Sequence, residues 1–184
     1  MKEGPHDLAI ICGYGSLPLE LAKGAIVAGR RPILIGIEGE AEEGVREFPH
    51  EMLAWGQLGR LFRLLRSHGI LQVVFAGGIR RRPDLLRLRL DLGAILAVPH
   101  APAFMLGGDN TVLTGAIRLF ERKGFCVMGA HEIAPQLLAE AGVIAGSRPG
   151  SKDKTFNDLA FAACKAPGRV DIGQAAVAEA PREV

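Results

Sequence analysis

Two glycine pairs and a run of arginines are the residues whose types and spacing first point to chemistry. Gly13 and Gly15 follow an apolar run, Leu8-Ala-Ile-Ile-Cys12, and precede Ser16-Leu17-Pro18 and apolar residues at helical spacing. Gly77 and Gly78 follow a second such run, Leu71-Gln-Val-Val-Phe-Ala76, and lead into Ile79-Arg80-Arg81-Arg82-Pro83. Glycines let a backbone come close to a ligand, and the first amides of a helix face any anion placed there. Arginine forks grip phosphate oxygens in pairs. The chemistry suggested is phosphate binding. Against it stand a plain strand-to-helix turn for the glycines and a solvated basic tract for the arginines.

Other polar residues lie at comparable places. Asp109, preceded by Gly107 and Gly108, suits the N-cap of a helix, and equally a loop carboxylate offered to Mg²⁺ or to a hydroxyl. His131 and Glu132 come directly after Gly129, where an apolar run ends. An isolated histidine is usually structural, so position alone singles this one out. Asp171-Ile-Gly-Gln174 leads into the apolar Ala-Ala-Val-Ala178. Glu38 closes the run Pro32–Ile37 where a dinucleotide-binding fold keeps an acid for a ribose hydroxyl, although a solvated glutamate at a strand end explains it as well. Pro18 stands where the Gly-x-Gly-x-x-Gly fingerprint needs its third glycine. It argues against a dinucleotide and suits the first turn of a helix.

The elements that must carry these residues read as an α/β succession. Apolar runs predict strands over Leu8–Cys12, Pro32–Ile37, Leu71–Ala76 and Phe125–Gly129. Helical spacing predicts a helix over Leu19–Ala28, stopped at Gly29. A second helix has its apolar stripe on Leu58, Leu61, Phe62 and Leu65, Arg60, Arg63 and Arg66 opposite, and Gly69 at its end. Gly39 to Glu51 reads as charged and turn-rich. Pro83 to Ala97 reads as a helix or helical hairpin whose leucines and arginines fit a lipid, a partner or ordinary core packing. A further helix starts at Asp109, carries Ile117 and Phe120 on its apolar face, and closes at Lys123-Gly124. Pro135 to Glu140 and Phe156 to Ala166 read as two more helices. The expected fold is α/β, with a Rossmann-like open parallel sheet over residues 1–138 and a Gly/Ser/Pro-rich linker over 139–153. Residues 154–184 are the start of a smaller C-terminal domain, too short to bury a core of its own. Ligands of such sheets sit at the carboxyl ends of the strands, where both glycine pairs fall.

A chain of 184 residues, 48% hydrophobic, suffices for one ordinary core. A net charge of +2, from 22 basic and 20 acidic residues, does not call for nucleic acid. The three cysteines, Cys12, Cys126 and Cys164, have no paired spacing and fit reduced thiols. The polar start Met1-Lys-Glu-Gly-Pro-His-Asp7 and the lack of a long apolar run predict neither signal peptide nor membrane span, hence a cytoplasmic protein.

Several segments, taken in order, resemble the LpxI-type UDP-2,3-diacylglucosamine pyrophosphatases. They are Gly13 to Pro18, Gly56-Gln-Leu-Gly59, Phe75-Ala-Gly77 with Arg82-Pro83, Gly108-Asp109 with Leu113, Gly124-Phe125, Gly129-Ala-His131-Glu132 and Asp171-Ile-Gly-Gln174. The resemblance implies a Mg²⁺-dependent, membrane-associating enzyme of lipid A biosynthesis. Water would attack the α-phosphorus of UDP-2,3-diacylglucosamine to give UMP and 2,3-diacylglucosamine 1-phosphate. It implies substrate contacts from Gly13, Gly15, Ser16, Leu17, Gly77, Gly78, Arg82, His131, Glu132 and Gln174. Asp109 and Asp171 would be the catalytic and metal-holding acids, with Glu132 a further carboxylate able to hold the ion or orient water. Two departures stand out. Four residues, Gly78 to Arg81, separate Ala-Gly from Arg-Pro where the family has three, which leaves open which arginine takes the family position. The family's later Gly-Thr-Asp and Asp-Leu-Pro segments are absent, so the chain is expected to be C-terminally truncated and to pair with another copy over the apolar surface left bare. Two alternatives stand beside the hydrolase: a non-catalytic nucleotide-sugar or lipid-phosphate binding module, and, further off, an NAD-type oxidoreductase.

Overall fold

The structure, a computed structural model, describes residues 6–80, 91, 109–148 and 150–169. Two compact units divide the chain, one of Met1–Pro102 with Ala116–Leu138 and one of Ala103–Gly115 with Ala139–Val184.

The first unit is built on a five-stranded sheet: β1 (Leu8–Cys12), β2 (Pro32–Ile37), β3 (His50–Leu53), β4 (Gln72–Ala76) and β5 (Cys126–Val127). The order is β3-β2-β1-β4-β5 and every pairing is parallel. Helices α1 (Leu17–Val27), α2 (Leu58–Ser67), the part of α3 (Asp109–Arg122) from Ala116 on, and the short α4 (Ala130–Ile133) flank it. This is the open parallel α/β sheet that the apolar runs predict.

Alternation along β1 sorts the core into two layers. Leu8, Ile10 and Cys12 meet Leu21, Ala22 and Ala25 of α1 and Ile133 of α4, whereas Ala9 and Ile11 share a layer with Leu61, Phe62 and Leu65 of α2 and with Phe120. A central strand covered on both faces must be apolar throughout, and all five residues of β1 are buried. Each such Leu or Ile contributes about 1.5–3 kcal/mol by leaving water.

The stretch from Gly39 to Glu51, expected to be turn-rich, is more ordered than that. It makes a 3-10 turn over Glu43–Glu47, which buries Val45, and then β3, paired through Leu34 with His50 and Ile37 with Leu53. A short edge strand with a half-exposed His50 and Glu51 needs no apolar alternation, so it left no periodic signal. Pro135 to Glu140 is not a helix but a single 3-10 turn over Pro135–Leu137. Helix α2 makes no cap with its own Gln57 side chain. The Asp91 carboxylate, 31 or more residues on, accepts the Gly59 amide at 2.9 Å and the Arg60 amide at 2.7 Å instead. The rest of the region expected as a helical arm over 83–97, and the segment after residue 169, lie outside the described residues.

In the second unit the main element is α5 (Ser151–Arg169). It starts five residues before the expected Phe156, because Asp153 folds back to accept the Gly150 amide at 2.7 Å and secures the first turn. Phe156, Ala160 and Cys164, four residues apart, are its half-buried stripe. Leu159 and Phe161 are exposed. Among the described residues, no helix is long and apolar enough to cross a membrane.

Candidate functional site

The direction of chain progression in the sheet reverses between β1 and β4, and in open α/β sheets the crevice beyond such a point is where ligands bind. Both glycine pairs sit there and are in direct contact. The Gly13 amide donates to the Ala76 carbonyl at 2.9 Å, the Tyr14 amide to the Gly78 carbonyl at 2.7 Å and the Gly78 amide to the Tyr14 carbonyl at 2.9 Å. Tyr14 and Gly78 thus form an antiparallel bridge between loops that follow parallel strands.

Steric space explains two of these glycines. A Cβ on Gly13 would overlap the Gly78 carbonyl oxygen. Gly77 has φ +88°, and a Cβ there would lie 2.6 Å from the Tyr14 carbonyl oxygen. The Gly13 and Gly78 amides, expected to face a ligand, instead donate to Ala76 at the end of β4 and to Tyr14. The Gly15 amide points at Glu42 Oε1, 3.4 Å away. For Ser16 and Leu17 at the start of α1 no hydrogen-bond acceptor is found among the described residues, although the Ser16 carbonyl accepts from Leu19 and Glu20 at 3.0 and 3.1 Å. Those two amides are the donors that the first turn of α1 leaves unpaired among the described residues.

The crevice mouth is charged. Arg80 lays its guanidinium over the Tyr14 ring, Cζ 3.3 Å from the centroid, and pairs through Nη2 with Glu42 Oε1 at 3.2 Å. Its backbone amide donates to Glu40 Oε2 at 2.7 Å. Glu40 is only 7% exposed. Tyr14, Glu40, Glu42 and Arg80 were not singled out from the sequence as site residues, Arg80 apart from its place in the arginine run. The signal the sequence carries is an acid shortly after β2, but Glu38 is exposed and its amide donates to the Leu53 carbonyl at 2.9 Å. The acid that turns inward is two residues further along. Removing its carboxylate, as in Glu40→Leu, should cost about 1–3 kcal/mol by leaving the Arg80 amide without its acceptor. Urea denaturation reads that loss, and limited proteolysis should cut first near Arg80.

The other predicted residues are placed as follows. Glu132 accepts the Gly129 amide at 2.6 Å, so its carboxylate caps α4. His131 is exposed, with its ring against Gly129. Helix α4 packs on α1 and β4. Asp109 is the first residue of α3. Arg82, Asp171 and Gln174 lie outside the described residues. Among the described residues, no three His, Cys, Asp or Glu side chains come together as an ion would need.

Cys12, at the end of β1, is buried, and burial pushes its thiol up to about 12. It donates to the Ile10 carbonyl at 3.2 Å and belongs to the core. Iodoacetamide at neutral pH should alkylate the exposed Cys126 and spare Cys12 until the protein is unfolded, as peptide mass spectrometry would record.

The strand order, with its reversal between β1 and β4, makes this a doubly wound α/β domain. The chain belongs to the family of the LpxI N-terminal domain, whose model matches residues 7–137. It is also 31% identical over 172 residues to the UDP-2,3-diacylglucosamine pyrophosphatase LpxI of Caulobacter vibrioides. That match covers 94% of this chain and 61% of the relative, so the chain spans less than two thirds of the relative's length.

Proposed function

We propose that this protein serves lipid A biosynthesis by hydrolysing UDP-2,3-diacylglucosamine to UMP and 2,3-diacylglucosamine 1-phosphate. The observation that carries the reading is the relationship to the Caulobacter pyrophosphatase over nearly the whole chain. The crevice supports it in kind. Phosphoanhydride hydrolysis needs charge neutralisation and a held phosphate. Arg80 provides a guanidinium at the mouth, and the Ser16 and Leu17 amides provide donors at the start of α1. Water attacks the α-phosphorus in this reading. In this reading Asp109 and Asp171 would hold Mg²⁺, which would supply charge neutralisation on the diphosphate, and Arg82 and Gln174 would be further substrate contacts. Peripheral contact with a membrane surface and association of copies are further parts of it, supported by exposed apolar side chains such as Val27 and Phe161.

A second reading is a module that binds the nucleotide-linked lipid without cleaving it. It is favoured by the lack, among the described residues, of three acids, histidines or cysteines grouped as an ion would need. Incubating the purified chain with the substrate and Mg²⁺, and following UMP by chromatography, separates the two. UMP release at a rate proportional to protein establishes the hydrolase. Binding without UMP establishes the module, and neither binding nor release overturns both.

A further inference from the structure

The crevice mouth already holds an anion of the protein's own. Glu42 Oε1 lies 3.2 Å from the Arg80 guanidinium and 3.4 Å from the Gly15 amide, the kind of donor pair that a phosphoryl oxygen would take. We propose that Glu42 is a built-in competitor for the substrate's diphosphate, occupying Arg80 and the Gly15 amide until the ligand displaces it. This rests on the reading of the crevice as a diphosphate site.

Three features make the exchange easy. The Glu42–Arg80 pair is half exposed, with side chains 40% and 54% accessible, and such pairs are weak because water screens them. The bond to Gly15 is at the outer limit of hydrogen-bond length, so little holds Glu42 there. Arg80 itself does not have to move as a unit. The buried Glu40 ties its backbone amide at 2.7 Å, and the Tyr14 ring supports its guanidinium from one face. The two carboxylates thus have different tasks: Glu40 anchors the main chain, and Glu42 neutralises the side chain.

A diphosphate carries more charge and more acceptor oxygens than one carboxylate, so it wins the guanidinium. Once it is bound, Glu42 is a like charge beside it and must swing out. A ligand with a single weak negative charge gains much less from the same exchange. The device therefore favours diphosphates over simple carboxylates at this crevice.

The test is a titration of the full chain with UDP, in wild type, Glu42→Gln, Arg80→Ala and the double variant. Glutamine keeps the shape and removes the charge, and matching thermal melts establish that each variant is folded. Glu42→Gln is expected to bind UDP about fivefold more tightly, the scale of an exposed pair. Arg80→Ala is expected to weaken it at least about tenfold, as loss of a charged hydrogen bond does. In the Arg80→Ala background, Glu42→Gln should gain clearly less, because only the Gly15 amide and the like-charge repulsion remain to be relieved. Equal or weaker UDP binding by Glu42→Gln overturns the proposal. So does an equal gain in the Arg80→Ala background, which would mean a general field and not a competitor. UMP release by wild type with no gain in Glu42→Gln would leave the hydrolase reading standing and this inference refuted.

Discussion

Replacing Gly77 by alanine is expected to cost about 3 kcal/mol or more of folding stability and to open the crevice. Two effects add. The backbone at Gly77 has φ +88°, a region in which an L side chain is strained by about 1–2 kcal/mol. The new Cβ would also lie 2.6 Å from the Tyr14 carbonyl oxygen and 2.9 Å from the Gly13 carbonyl carbon, so backbone has to move. What moves is the bridge between the loops, and with it the turn that carries Gly15 and the start of α1. Gly78→Ala is the control. Among the described residues its Cβ would meet nothing within 4 Å, and its φ is not positive, so the cost should stay within about 1 kcal/mol. Urea midpoints for the two variants decide the matter. If Gly77→Ala were as stable as Gly78→Ala, the bridge would not be what closes the crevice.

Those glycines also mark how far the sequence can be read. A glycine after a buried strand signals that something comes close, but not what. Gly13 and Gly77 predict room for a phosphate, and in the structure each also makes room for the other's loop, which no local pattern encodes. The strands were legible because burial on both faces demands unbroken apolar runs, as in Leu8–Cys12. Strand β3 was not, because an edge strand with His50 and Glu51 looks like a polar loop. The charged cluster was hidden for a third reason. Arg80 meets Glu40 and Glu42 across 40 and 38 residues of chain, and its partners are chosen by the order of the strands. A parallel sheet brings the ends of β2 and β4 to one edge although β1 lies between them. Only the topology says that the acids after β2 and the arginine after β4 are neighbours. The same holds for Asp91, which caps α2 from the segment after β4.

The other large effect is expected from Phe120→Ala, at about 3–5 kcal/mol. Phe120 is 3% exposed, and its ring lies 5.0 Å from Phe62, 5.1 Å from Phe75 and 6.0 Å from Phe125, edge to face in each case. Truncation removes a fully desolvated ring and leaves a cavity among three others that are fixed to α2, β4 and the start of β5. The loss should not be uniform. Strand β5 has only two paired residues, Cys126 and Val127, so its place depends on Phe125, which also stacks on Phe62 at 5.6 Å. With Phe120 gone, the Cys126 and Met128 amides, which donate to Leu71 and Val73 at 2.7 and 2.8 Å, should exchange with solvent deuterium well before those of β1. Phe120→Leu keeps most of the volume and should cost about half as much or less. If both variants exchanged β5 and β1 together, the aromatic layer would support the sheet as a whole. If β5 alone loosened, it would be the fastening of the strand that leads into α4 and its His131 and Glu132.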